Sequence, residues 1–146
     1  MKIVLGSDHA GYALKAQIKP VIEELGHEVV DVGNHSADSV DYADYGIPAA
    51  EMVANGEADR GVIICGTGIG MSISANKVKG IRCALVQDLF TAKVTREHND
   101  TNVLAMGERV VGPGMAQEIV KIWLSTEFEG GRHQRRVDKM MSYENR

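Results

Sequence analysis

An α/β fold, with a five-stranded parallel sheet and helices on both faces, is what this sequence predicts. Three observations carry the prediction. Five short apolar runs alternate with stretches of helical apolar period between Lys2 and Ser125. Each run is set off by glycine, aspartate or asparagine, the residues of turns. The spacing between runs leaves room for a helix each time, and strands joined by helices pair in parallel. The expected strand order is 2-1-3-4-5. At 146 residues the chain is expected to be a single domain, large enough to bury roughly 70% of its unfolded surface.

The elements follow in order. Residues 2–6 form the first strand, and Ser7-Asp8-His9-Ala10-Gly11 a loop. Tyr12 to Leu25 carries apolar residues at 14, 18, 21, 22 and 25, a helical period. Pro20 inside it predicts a kink, and Gly26 is the expected stop. Glu28 to Val32 is the second strand, followed by a polar loop to Tyr42 that holds His35, Asp38 and Asp41. A second helix spans Asp44 to Asn55, with Pro48 near its first turn. The third strand, Gly61 to Ile64, runs into Cys65-Gly66-Thr67-Gly68-Ile69-Gly70, and the next helix reaches about Lys77. Ile81 to Val86, Leu89 to Glu97 and Asn102 to Met106 read as strand, helix and strand. Pro113 opens a fifth helix that ends near Ser125, and a last helix is expected in the charged tail after Gly130-Gly131.

Composition narrows the function. A net charge of −4 and an aromatic content of 5% argue against nucleic-acid binding and against an anionic membrane surface. No run reaches the ~18 apolar residues of a membrane span. Met1 to Gly6 leads directly into a strand, so no signal peptide and a cytoplasmic location are expected. The two cysteines, Cys65 and Cys83, lack disulfide or C-x-x-C spacing, and no Cys/His set has zinc spacing. No metal or cofactor is expected.

In such a sheet, ligands bind beyond the carboxyl ends of the strands, at the switch point between strands one and three. The two most unusual loops fall there: Asp8-His9, and Cys65 to Gly70. Arg109 follows strand five on the same edge, and Tyr42 closes the loop after strand two. Gly66-Thr67-Gly68-Ile69-Gly70 is not a P-loop, because no Lys-Ser/Thr follows, and Met71 stands where a third dinucleotide-binding glycine belongs. Exposed amides after a buried strand suit an anion, with the Cys65 thiol at the lip of the turn. The alternative is a turn that serves the fold alone. A cysteine out of context is a small buried hydrophobe, and mid-strand Cys83 is read that way. Asp8 could simply cap the first helix, and His98 could be a solvated helix end. His27, His35 and His133 are taken as surface residues. Arg132 and Arg136 share one helical face, and two guanidinium forks so spaced suit a phosphate; Met140 to Tyr143 is taken to pack against a neighbour.

His98-Asn99 follows the fourth helix and should lie on the opposite edge of the sheet, as should the tail. If these residues join the Cys65 loop in one site, a second subunit supplies them. The expected assembly is then a homodimer, or a tetramer, with sites shared between subunits.

The stretches Gly6-Ser7-Asp8-His9-Ala10-Gly11, Asp41-Tyr42, Ile64 to Gly70, Arg96-Glu97-His98-Asn99-Asp100-Thr101-Asn102 and Glu129-Gly130-Gly131-Arg132-His133-Gln134 carry a resemblance over nearly the whole chain. They resemble the ribose-5-phosphate isomerase type B family, within the sugar-phosphate isomerases that include galactose-6-phosphate isomerase. The resemblance implies a Rossmann-like three-layer α/β/α fold whose C-terminal tail, 127–146, sits at a subunit interface. It implies interconversion of D-ribose 5-phosphate and D-ribulose 5-phosphate in the pentose phosphate pathway, without metal or cofactor. Cys65 would be the base, since Met71-Ser72-Ile73 holds none of the acid that other members use. The amides of Gly66, Thr67, Gly68, Ile69 and Gly70 would hold the enediolate oxygen, with Thr67 positioning substrate or thiol. His98 would open the sugar ring with Asp8 nearby, and Asn99 and Tyr42 would contact the sugar. His9, Arg109, Arg132 and Arg136 would grip the phosphate. The runner-up substrate is a six-carbon sugar phosphate of allose or galactose. A non-catalytic receiver-like or nucleotide-binding module is the reading from another class, and it would want more acids than Asp8 alone at the first loop.

Overall fold

A computed structural model describes residues 1–145; residue 146, the last of the expected tail, lies outside them. In chain order the elements are β1 (Lys2–Ser7), α1 (Tyr12–Glu24), β2 (Glu28–Gly33), α2 (Ala43–Ala54), β3 (Arg60–Cys65), α3 (Ile69–Ala75), β4 (Cys83–Leu85), α4 (Leu89–Asn99), β5 (Val103–Gly107), α5 (Pro113–Ser125) and α6 (Arg132–Ser142). A short 3-10 turn, Tyr143–Asn145, follows α6. The α/β class is as expected: every strand pair is parallel, and helices cover both faces. Each predicted element is present with ends shifted by a few residues. The helices continue through Pro20 and Pro48 rather than ending there.

The strand order is a correction. The sheet runs β2-β1-β3-β5-β4, not 2-1-3-4-5. Burial explains it. All five residues of β5 are buried, and Val103, Leu104, Ala105 and Met106 have no exposed surface. A strand apolar on both faces belongs inside a sheet. Strand β4 is only three residues long and half-buried throughout, which suits an edge.

This exchange also moves a helix. The step from β4 back to β5 reverses direction, and a right-handed crossover then carries α4 to the other face. Ala92 of α4 packs in one core with Leu14, Ile18 and Ile22 of α1 and Ile119, Val120 and Trp123 of α5. The opposite core joins Ala49, Ala50 and Val53 of α2 to Met71 and Ala75 of α3. Trp123 is fully buried, and its indole N–H donates to Thr101 Oγ1 at 3.0 Å. Helix α6 stands outside both cores. Its buried residues are His133 and Val137, one turn apart, and it rests against α4.

Leu104→Ala in the central strand should lose about 3 kcal/mol of stability, and Leu85→Ala in the edge strand less than half of that. Denaturant midpoints of the two variants measure the difference. Equal losses would contradict the central place of β5.

Candidate active site

The site begins where three strands end together. Ile64 of β3 pairs with Ser7 of β1, and Cys65 pairs with Gly107 of β5. The pairing continues beyond the sheet: Glu108 N–H donates to the Cys65 carbonyl at 2.9 Å and Arg109 N–H to the Gly66 carbonyl at 3.0 Å. Gly107 makes this possible, since a Cβ there would overlap the Thr67 backbone. The corrected strand order therefore brings Arg109 next to the glycine turn. A side chain on Gly66 would meet the Arg109 guanidinium at 3.1 Å. Had β5 stood at the edge, another strand would have intervened, about 5 Å further away.

Cys65 is 4% exposed. The turn after it closes on the sulfur, because Gly68 takes φ +80°, a conformation that glycine adopts without strain, and its N–H donates to Cys65 Sγ at 3.1 Å. Thr67 is exposed, and its Oγ1 accepts from Ile69 N–H at 3.3 Å. The Tyr42 ring lies against Gly70, where any Cβ would strike it.

The loop after β1 faces this turn. Asp8 is buried, and its Oδ1 accepts from the N–H groups of Ala10 at 2.9 Å and Gly11 at 3.1 Å. These amides belong to the turn before α1, whose N-cap is Gly11 with no side-chain bond, so Asp8 braces the loop and does not fill the capping role weighed from the sequence. His9 Nδ1 accepts from Val40 N–H at 3.1 Å. Asp8, His9, Tyr42, Cys65, Gly66, Thr67, Ile69, Gly70 and Arg109 line one open cavity of about 400 Å³, together with Ala10 and Ile73.

The remaining expected residues are elsewhere. His98, Asn99 and Arg136 line a separate cavity of about 370 Å³ with His133, Val137 and Met140. It lies at the end of α4, near the start of β5. The length of β5, roughly 16 Å at ~3.3 Å per residue, separates that edge from Gly107. Arg132 is exposed at the start of α6. Within one chain, then, the expected site residues form two groups on opposite edges of the sheet.

His133 is another correction. It is buried, not on the surface, and its ring stacks on His98 with centroids 4.2 Å apart and 14° between planes. Burial, the neighbouring His98 and the Arg132 guanidinium together hold its pKa below the usual imidazole value. The i, i+4 pairing of His133 with apolar Val137 was the sequence signal for a buried face. Glu129 Oε1 lies 3.6 Å from His98 Nε2. Among the described residues, His98, Glu129 and His133 are the one group whose ligand atoms approach a metal geometry, lying within 4.8 Å of one another. That is looser than the ~3.3 Å edge of a tetrahedral zinc site, and stacked rings do not aim their nitrogens at one point. Glu108 was also missed. Its Oε1 accepts from Leu14 N–H at 2.6 Å, tying the first turn of α1 to the loop that carries Arg109. No sequence spacing marks a contact that spans 94 residues.

The chain matches a model of the family described as Ribose/Galactose Isomerase over residues 3–140. The chain belongs to the ribose/galactose isomerase family. Ribose-5-phosphate isomerase B of Escherichia coli is 48% identical over 145 residues, covering 99% of this chain and 97% of that protein. A solved ribose-5-phosphate isomerase B of Clostridium thermocellum is 54% identical and superposes with a TM-score of 0.97, over 99% of this chain and 98% of the other. That of Mycoplasma genitalium, solved with bound ribulose-5-phosphate, is 42% identical with a TM-score of 0.94, covering 99% and 96%. Membership in this family makes the chain a sugar-phosphate isomerase by class. No described helix is long and apolar enough to cross a membrane.

A larger cavity, about 480 Å³, lies along β4 and α6, and the thiol in its lining is Cys83. Burial pushes that thiol up from 9.0 to about 12. A raised pKa keeps Cys83 protonated as the pH climbs, so its thiolate is scarcer at pH 8 in the folded protein than in the unfolded chain. Iodoacetamide at pH 8 should leave Cys83 unmodified in the folded protein and modify it after unfolding, as peptide mass spectra would record. Equal labelling in both states would contradict the raised pKa.

Proposed function

We propose that this chain interconverts D-ribose 5-phosphate and D-ribulose 5-phosphate through an enediolate, with Cys65 as the base. One observation carries the reading: a thiol at the end of a central strand is held by the Gly68 amide at 3.1 Å, inside a glycine turn flanked by Arg109. The Cys65 thiolate takes the proton from C2 of the open-chain aldose. The electron pair of that C–H bond moves toward the C1 carbonyl, whose oxygen gains negative charge. Donors already in place for that oxygen lower the barrier, and amides of Gly66 to Gly70 can supply them without side-chain obstruction. Return of the proton to C1, with transfer of the hydroxyl proton from O2 to O1, yields the ketose. The reaction is internally balanced, so the proposal includes no redox partner, metal or organic cofactor.

His9 and Arg109 grip the phosphate from the Cys65 side, with Asp8, Thr67 and Tyr42 placing the sugar. His98, Asn99, Arg132 and Arg136 come from a second copy of the chain, His98 opening the furanose ring and Asn99 holding hydroxyls. Two features support a shared site. The two groups of residues lie on opposite edges of one chain. The rim of the Cys65 cavity also carries exposed apolar side chains, Tyr42 at 45%, Ile69 at 51% and Ile73 at 56%, a surface that a partner would cover. We propose a homodimer with composite sites, working in the cytoplasm as one domain.

Purified protein should equilibrate ribose 5-phosphate with ribulose 5-phosphate in the presence of a chelator. It should act more slowly on allose and galactose 6-phosphates, the six-carbon runner-up substrates. Cys65→Ala should stay folded and lose about 10²–10⁴ in kcat; near-normal turnover would remove the thiol from its role. Mixing inactive Cys65→Ala with inactive His98→Ala under conditions of subunit exchange should restore part of the activity, because a mixed dimer holds one intact site. No recovery in exchanging dimers would count against the shared site.

A further inference from the structure

The loop between β2 and α2 does something that the catalytic proposal leaves unused. It is built around a buried cation. Lys15 of α1 is 3% exposed, and its ammonium donates to Asp31 Oδ1 at 2.7 Å and to the Asn34 carbonyl at 2.6 Å. Asn34 N–H donates to the Ser7 carbonyl at 2.7 Å, fastening the loop to the end of β1. From there the loop holds its own shape. The Asn34 side chain donates to the Ser36 carbonyl at 2.6 Å and accepts from Ser36 N–H at 3.1 Å. Asp38 N–H then donates to Ser36 Oγ at 3.2 Å. At the far end, Val40 N–H donates to His9 Nδ1 at 3.1 Å.

A backbone N–H can only donate, so the direction of that last bond is fixed without reference to the ring's own hydrogens. The ring nitrogen that receives it carries no proton. We propose that the Val40 amide is a positioning group that fixes the tautomer of His9, leaving Nε2–H as its one donor toward the cavity. This rests on the phosphate-gripping role proposed for His9 above and refines it. His9 contributes a directed hydrogen bond to the phosphate oxygen and no positive charge, and the charge comes from the arginines. The ordered loop also keeps the ring from turning, so that the donor needs no reorganisation when the anion arrives.

The test uses the whole protein labelled with [15N]histidine, without substrate, at pH 7.5. Long-range 15N–1H correlation spectra should show His9 with a bare Nδ1 and a proton on Nε2, assigned by its loss in His9→Ala. Inorganic phosphate should shift the Nε2 resonance of His9. A proton on Nδ1, or on both nitrogens, would overturn the proposal. Val40→Pro removes the amide proton; its His9 should become a mixture of tautomers, and KM for ribose 5-phosphate should rise about fivefold with kcat nearly unchanged. An unchanged His9 spectrum in folded Val40→Pro would also overturn it. Should that variant fail to fold, hydrogen exchange decides: the Val40 amide should exchange slowly in the native protein and fast in His9→Ala, and equal rates would sink the idea. These spectra and exchange rates need no turnover. Absence of isomerase activity would therefore remove the isomerase reading alone.

Discussion

Cys65 pairs with Gly107 across β3 and β5, and Ile64 pairs with Ser7 across β3 and β1. These parallel pairings put the ends of three strands at one level, so that their three following loops converge. Crossovers leave β1 and β5 for one face of the sheet and β3 for the other. A crevice therefore opens on each side of β3, where helices diverge. The glycine turn after β3 sits between the two. Asp8 and His9 approach it from one side and Arg109 from the other. The geometry of the candidate site is thus a consequence of strand order before it is a property of any side chain.

The same connectivity divides the site residues. A parallel sheet returns the chain to its amino edge at the end of each helix, so residues that close α4 cannot reach the carboxyl edge where β3 ends. His98 and Asn99 are held at that far edge, and α6 folds back against α4 with His133 stacked beneath His98. In the proposed reaction each edge supplies only part of the chemistry. The Cys65 edge has a thiol, a ring of amides and one arginine; the other has an imidazole pair and the arginines of α6. In the proposed dimer a two-fold arrangement of chains joins these halves, since the same contact is then made twice.

Rigidity around the Cys65 edge comes from long-range hydrogen bonds. Glu108 ties α1 to the loop after β5, and Lys15 ties α1 to the loop after β2. Helix α1 thereby braces two of the segments that line the cavity while contributing no side chain to its chemistry.

Much of this was legible in the chain. Alternating apolar runs and helical periods located the five strands and the helices that follow them, because that periodicity follows from burial of one face, and Gly130-Gly131 marked the start of the last helix. The unusual residues Asp8, His9, Cys65 and the glycines after it fell at strand ends, which placed them at one edge. The separation of His98 from Cys65 followed from topology as well. Other features were decided only by tertiary structure. The order of β4 and β5 depended on which strand could afford an open edge, and no local pattern states that directly, although the unbroken apolar run of Val103 to Met106 hinted at it. Burial of His133 depended on where α6 came to rest. The bonds from Glu108, Lys15 and Val40 join residues that sequence spacing does not relate. By itself the sequence determined which elements form and at which sheet edge each loop emerges, since both follow from local periodicity and alternation. Which loops become neighbours was settled by packing, because adjacency in a sheet is a competition among all strands for the buried positions.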